Sequence, residues 1–143
     1  MSESNESYRP YVQIAAFCRT TIQDITGSLS LIQLIDRLPV NGITDEMQPT
    51  PITGLTLVVV LKAGFMRGRS TLKITPMTPS GTEMPSAESS ILFEGEERGV
   101  AGVFPMAFIA TEEGLYWFDV YVNGDRLTRI PLRILYQKVP QPR

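Results

Sequence analysis

The chain has 143 residues, with 13 Lys+Arg against 15 Asp+Glu, no histidine and a net charge of -2. That length suits one domain able to bury roughly 68–70% of its unfolded surface without metal or disulfide support, and its charge balance creates no long-range field favouring nucleic acid or an anionic membrane. Without imidazole there is no Ser-His-Asp or Cys-His nucleophile and no His-ligated zinc or iron; carboxylate or lysine catalysis would depend on tuned pKa values.

Residues 1–9 are polar and acidic, with no apolar run of the signal-peptide kind, and are read as a flexible start. No apolar stretch approaches the ~20 residues of a membrane helix. Cys18 is the single cysteine, so the chain forms no internal disulfide, which suits a reducing cytoplasm. It lies in the apolar run AAFC and reads as a buried, inert thiol.

Short apolar or β-branched runs separated by Gly, Pro, Asn or Ser recur along the chain. They predict strands near 11–19, 29–36, 54–62, 70–76, 87–93, 103–110, 115–122 and 126–136, in one domain spanning 10–137 with a flexible tail over 138–143. A turn is expected at Thr26-Gly27-Ser28. SLSLIQLID and GLTLVVVLKAG are apolar on both faces, as strands are in a doubly covered sheet or at a subunit interface. Residues 37–53 contain Pro39, Pro49 and Pro51 and read as a long crossover between sheets. Lys62, Arg67, Arg69 and Lys73, and Glu94, Glu96, Glu97 and Arg98, read as solvated loop charges. In VFPMAFIA, Phe104, Met106 and Phe108 share one face; if this strand forms a sheet edge it needs cover, and these three residues are the candidate homo-oligomer interface.

Residues 114–134, GLYWFDVYVNGDRLTRIPLRI, form the clearest hairpin. Asn123-Gly124 is a strong type I′ turn signal, because both central residues need positive φ. Tyr116, Phe118, Val120 and Val122 make the inward face; Leu115, Trp117, Asp119 and Tyr121 make the outward one. A regular two-residue turn would bury Leu127 but turn Ile130, Leu132 and Ile134 outward, so a β-bulge near Thr128-Arg129 is expected. The rival is a three-residue turn with Gly124 in the left-handed region. The spacing Gly114, Tyr116, Phe118 matches the tyrosine corner of immunoglobulin-like sandwiches, with the phenol hydrogen-bonded near Glu112.

From Val12 to Tyr136, the pieces AAFCRTT, GSLSLIQLIDRL, LTLVVVLKAG and FIATEEGLYWFDVYVNGDRLTRIPLRI resemble, in order and spacing, a bacterial domain-of-unknown-function family of short proteins of about 140 residues. Asp36-Arg37 and Ile130-Pro131-Leu132-Arg133 are the most particular elements. Ser28 and Gln33 depart from the Lys and Gly common there. The resemblance implies an immunoglobulin-like β-sandwich and no activity.

The expectation is therefore an all-β, immunoglobulin-like antiparallel sandwich of seven to eight strands. It would act as a non-enzymatic interaction or structural module that associates with itself or a protein partner, with no cofactor, metal, nucleic acid or membrane. The alternative is a small-ligand or carbohydrate module using Trp117 and Tyr121, with Arg126 opposite Tyr121. Asp24, Asp36, Asp45, Asp119 and Asp125 contain no close pair that suggests calcium.

Overall fold

A computed structural model describes residues 9–140. The first eight residues and the last three, expected to be flexible, lie outside the described residues. Nine strands are formed: β1 (Tyr11–Gln23), β2 (Leu29–Ile35), β3 (Arg37–Gly42), β4 (Thr50–Lys62), β5 (Arg67–Met77), β6 (Ala87–Glu94), β7 (Gly99–Ala110), β8 (Gly114–Val122) and β9 (Asp125–Lys138). They build two sheets, a four-stranded one ordered β2-β1-β4-β7 and a five-stranded one ordered β3-β9-β8-β5-β6. All pairings are antiparallel except β3 with β9.

The core lies between the sheets because the strands alternate, sending every second side chain inward. Phe17, Leu57, Val59 and Leu61 from one sheet meet Leu72, Ile74, Tyr116, Phe118, Leu132 and Ile134 from the other. Phe17 meets Phe118 edge to face, with ring centroids 4.8 Å apart. That geometry suits the ring quadrupoles better than a stacked sandwich. Gly102 of β7 lets the layers close: a Cβ there would lie 2.6 Å from Leu72 Cδ2.

Three elements differ from expectation. The proline-rich crossover contains β3, in which Leu38 and Val40 point into the core. β3 sits at the sheet edge and pairs only with β9, and an edge strand tolerates Pro39, which has no N–H to donate. Asp36 is the single residue between β2 and β3, so the chain changes sheets there and the strand count rises to nine. At the other end, β9 continues to Lys138, and Val139 N–H donates to the Gly42 carbonyl at 2.7 Å. The predicted tail therefore begins later than residue 138.

The hairpin has its expected two-residue turn, with Asn123 at φ 49° and Gly124 at φ 88°. The rival three-residue turn is not formed, since Val122 pairs with Asp125 directly. A bulge is present, but earlier than Thr128-Arg129: Tyr121 pairs with Arg126 and Val120 with Thr128, leaving Leu127 as the extra residue. From there Phe118 pairs with Ile130 and Tyr116 with Leu132. Leu132 and Ile134 are fully buried, and Leu127 and Ile130 pack partly buried against the core.

β7 is an edge strand, as its sequence allowed, but Phe104, Met106 and Phe108 face inward. Phe104 is buried, Met106 and Phe108 pack against the core, and Phe108 lies 5.8 Å from the Tyr116 ring. These residues help to close the sandwich, and Met106 and Phe108 remain half-buried at its edge, where they line a cavity of about 560 Å³ with Met84 and Ala87. The large exposed side chains of the strand are Val103 and Ile109, in the outward row with Ala101, Pro105 and Ala107.

Candidate interaction surfaces

The outward face of the five-stranded sheet is built around β8. Trp117, Asp119 and Tyr121 stand in consecutive outward positions, as the alternation predicts. Their cross-strand neighbours on β9 are Pro131, Arg129 and Arg126, so Arg126 does oppose Tyr121. On β5 the neighbours are Met77, Thr75 and Lys73.

Asp119 organises this face. Its side chain is only 6% exposed, and it accepts a hydrogen bond from Arg129 Nε at 2.9 Å, with Arg126 Nη1 at 3.9 Å. Arg129 is thereby held over the Trp117 ring, its guanidinium carbon 4.7 Å from the ring centroid. A cation at that height is attracted by the ring quadrupole. One face of the indole is thus already occupied, leaving less aromatic surface for a stacked sugar. A shallow depression of about 210 Å³ lies beside Tyr121, lined by Lys73, Thr75, Glu83, Ser86 and Gly124.

Asp119 and Arg129 were not singled out from sequence. An acid within an apolar strand was the available signal for the first. The second depended on the bulge, which places Arg126 and Arg129, three residues apart, on the same side of β9.

The outward face of the four-stranded sheet has the opposite character. Cys18 pairs with Leu34 on one side and Thr56 on the other, and Thr56 with Pro105. The next row runs Ala16, Val58, Val103, and the one beyond it Ile14, Val60, Ala101. None of these ten side chains is charged. Leu34 is 71% exposed, Val103 42% and Ile14 40%, while Val58 and Cys18 are fully buried although they stand outside the core cluster. Cys18 is buried as expected, and burial pushes its thiol above the ordinary value, only partly offset by backbone hydrogen bonds from the Ile32 and Thr20 regions.

Part of the remaining charge pairs around the turn that follows β6. Arg98 meets Glu94 at 2.8 Å and Arg67 meets Glu96 at 3.5 Å, all well exposed, so each contributes little to stability. Among the described residues no cluster of three or more His, Cys, Asp or Glu is placed to hold a metal.

The tyrosine corner completes the picture. Tyr116, fully buried, donates its phenolic hydrogen to the Glu112 carbonyl at 2.7 Å. Two packed sheets with this corner at the start of β8 define an immunoglobulin-like β-sandwich. No family model and no curated protein matches the sequence. Among solved structures, the fold is similar to the crystal structure of an immunoglobulin-like protein from Pseudomonas aeruginosa, at 14% identity and a TM-score of 0.41, over 88% of this chain and 96% of that one.

Proposed function

We propose that this protein is a non-enzymatic interaction module whose first partner is a second copy of itself, joined through the outward face of the β2-β1-β4-β7 sheet. The supporting observation is that face's composition: three in-register rows without a charge, with Leu34, Val103 and Ile14 exposed around it. An outward sheet face of this kind marks an interaction surface on a soluble domain. Three to four strands at ~4.8 Å spacing and about five residues at ~3.4 Å give these rows a projected footprint of roughly 300 Å². That is the size of the apolar centre of an interface in which each partner contributes ~800 Å² of accessible surface, with the flanking residues supplying the rim. The suggested place among bacterial short sandwich proteins fits this reading and adds no chemistry to it.

The test is molar mass by sedimentation equilibrium over a wide concentration range. The expected result is a dimer that dissociates on dilution, and a monomer when Leu34→Lys and Val103→Lys are combined. A wild-type chain that stays monomeric at high concentration would overturn the reading. The carbohydrate alternative is less favoured because Arg129 already covers one face of Trp117.

A further inference from the structure

The other sheet carries an independent surface. On β3, β9 and β8 the outward positions include Arg37, Arg126, Arg129 and Arg133, with Asp119 as the carboxylate among them; Glu88 stands two strands away in the Tyr121 row, beyond Lys73, and Glu113, just before β8, is taken up by Tyr136 N–H. Asp119 engages Arg129 and approaches Arg126. Arg133 and Arg37 are exposed, directly paired in register, and form no ion pair or side-chain hydrogen bond among the described residues. Like charges placed directly opposite each other across a strand pair destabilise a sheet. In a chain of net charge -2, positive charge is therefore concentrated on one face, at a local cost.

We infer that this face binds an extended acidic segment of a protein partner, laid along β9. The spacing fits such a ligand. Because of the bulge, Arg126 and Arg129 occupy consecutive outward rows opposite Tyr121 and Asp119, and Arg133 lies two rows further, opposite Leu115. Consecutive outward rows are roughly 6.6 Å apart, the same distance that separates every second side chain of an extended peptide. Carboxylates at alternate positions of the ligand meet Arg126, Arg129 and, about 13 Å further on, Arg133. Arg37, one strand spacing of ~4.8 Å from Arg133, adds a second guanidinium to the last carboxylate, the planar donor geometry that carboxylates favour. Pro131, Leu115 and Leu135, interleaved with the arginines, offer apolar contact to the ligand's intervening atoms.

A nucleic acid is the less favoured occupant. A polyanion extending beyond the patch would meet the field of a chain that is negative overall, whereas a short segment needs only a local match.

The experiment is fluorescence anisotropy of three labelled probes with the full chain: an alternating glutamate-threonine dodecapeptide, its lysine-threonine counterpart, and a twelve-base oligothymidylate. The glutamate peptide is expected to bind, to weaken as salt rises, and to lose roughly three- to tenfold in affinity for the Arg37→Gln, Arg133→Gln double variant. That variant should melt no lower than wild type, since it removes a like-charge contact. No binding of the glutamate peptide, equal binding by the double variant, or tighter binding of the oligothymidylate would each overturn the inference. Loss of dimerisation through the other sheet would leave this result unchanged.

Discussion

Tyr116 on β8 and Glu112 in the preceding loop are joined by a 2.7 Å hydrogen bond from the phenol to the backbone carbonyl, and this bond fixes how the chain enters the sandwich. Replacing Tyr116 with Phe keeps the ring against Phe108 but leaves the carbonyl without its donor. The loss should be about 1–3 kcal/mol, the cost of a buried polar group left unpaired, read as a lower urea midpoint at unchanged slope.

The same phenol sets an alkaline limit. Burial pushes the Tyr116 pKa above its ordinary value of 10.0, with the backbone hydrogen bond from the Glu112 region opposing and the Glu112 charge adding to the rise. A native pKa higher than the unfolded one means the folded state holds its proton more tightly. This contribution is therefore complete below about pH 10 and is lost as pH climbs through the raised value. Wild type should lose stability above pH 10 more steeply than Tyr116→Phe, measured by urea titrations at pH 8 to 11.

Asp119→Asn should release Arg129 from the Trp117 ring. With Arg129 39% exposed, water takes over much of the lost interaction, so the expected cost is about 1 kcal/mol, at the upper end for partly exposed pairs. The diagnostic readout is the emission of the single tryptophan, which should change in Asp119→Asn and in Arg129→Gln alike. If neither variant moves it, the stack is absent in solution.

Much of this architecture was legible from alternation alone. Tyr116, Phe118, Val120 and Val122 keep strict phase, and Asn123-Gly124 names its own turn type, so β8 and the hairpin could be read directly. β7 could not be oriented, because VFPMAFIA is apolar at odd and even positions alike; only its register with β4, Leu57 opposite Phe104, selects the inner face. β3 was hidden by its proline, since Leu38 and Val40 do alternate, but Pro39 argues against any strand that is hydrogen-bonded on both sides. The need for a bulge followed from the phase of Ile130 and Leu132. Its position did not, because that depends on Arg126 finding Tyr121 and Arg129 finding Asp119 across the ladder.

Gly102→Ala tests how tightly the layers fit. The added methyl would meet Leu72 and Phe104, and overfilling a closed core costs typically about 1–3 kcal/mol. Gly99→Ala, at a position without positive φ where the added Cβ would meet only ordinary contacts from 3.7 Å outward, should lose less. Equal losses in thermal melts would mean that the two layers accommodate the extra methyl without strain.

Asn123 braces the turn against β5. Its Oδ1 accepts from Thr71 N–H at 2.9 Å and its Nδ2 donates to Ser70 Oγ at 3.1 Å. Asn123→Gly keeps the left-handed turn but removes both bonds. It should therefore destabilise by about 1–2 kcal/mol, despite glycine being the more permissive turn residue, as measured by chemical denaturation.

The in-register parallel pairing of β3 with β9 has a mechanical consequence. Because β9 is flanked by β3 on one side and β8 on the other, tension along its C-terminal end loads two ladders in shear at once, so they cannot unzip one rung at a time. The single residue Asp36 ties that clamp covalently to the opposite layer. A pull on the C-terminus is therefore shared by both sheets before either begins to separate.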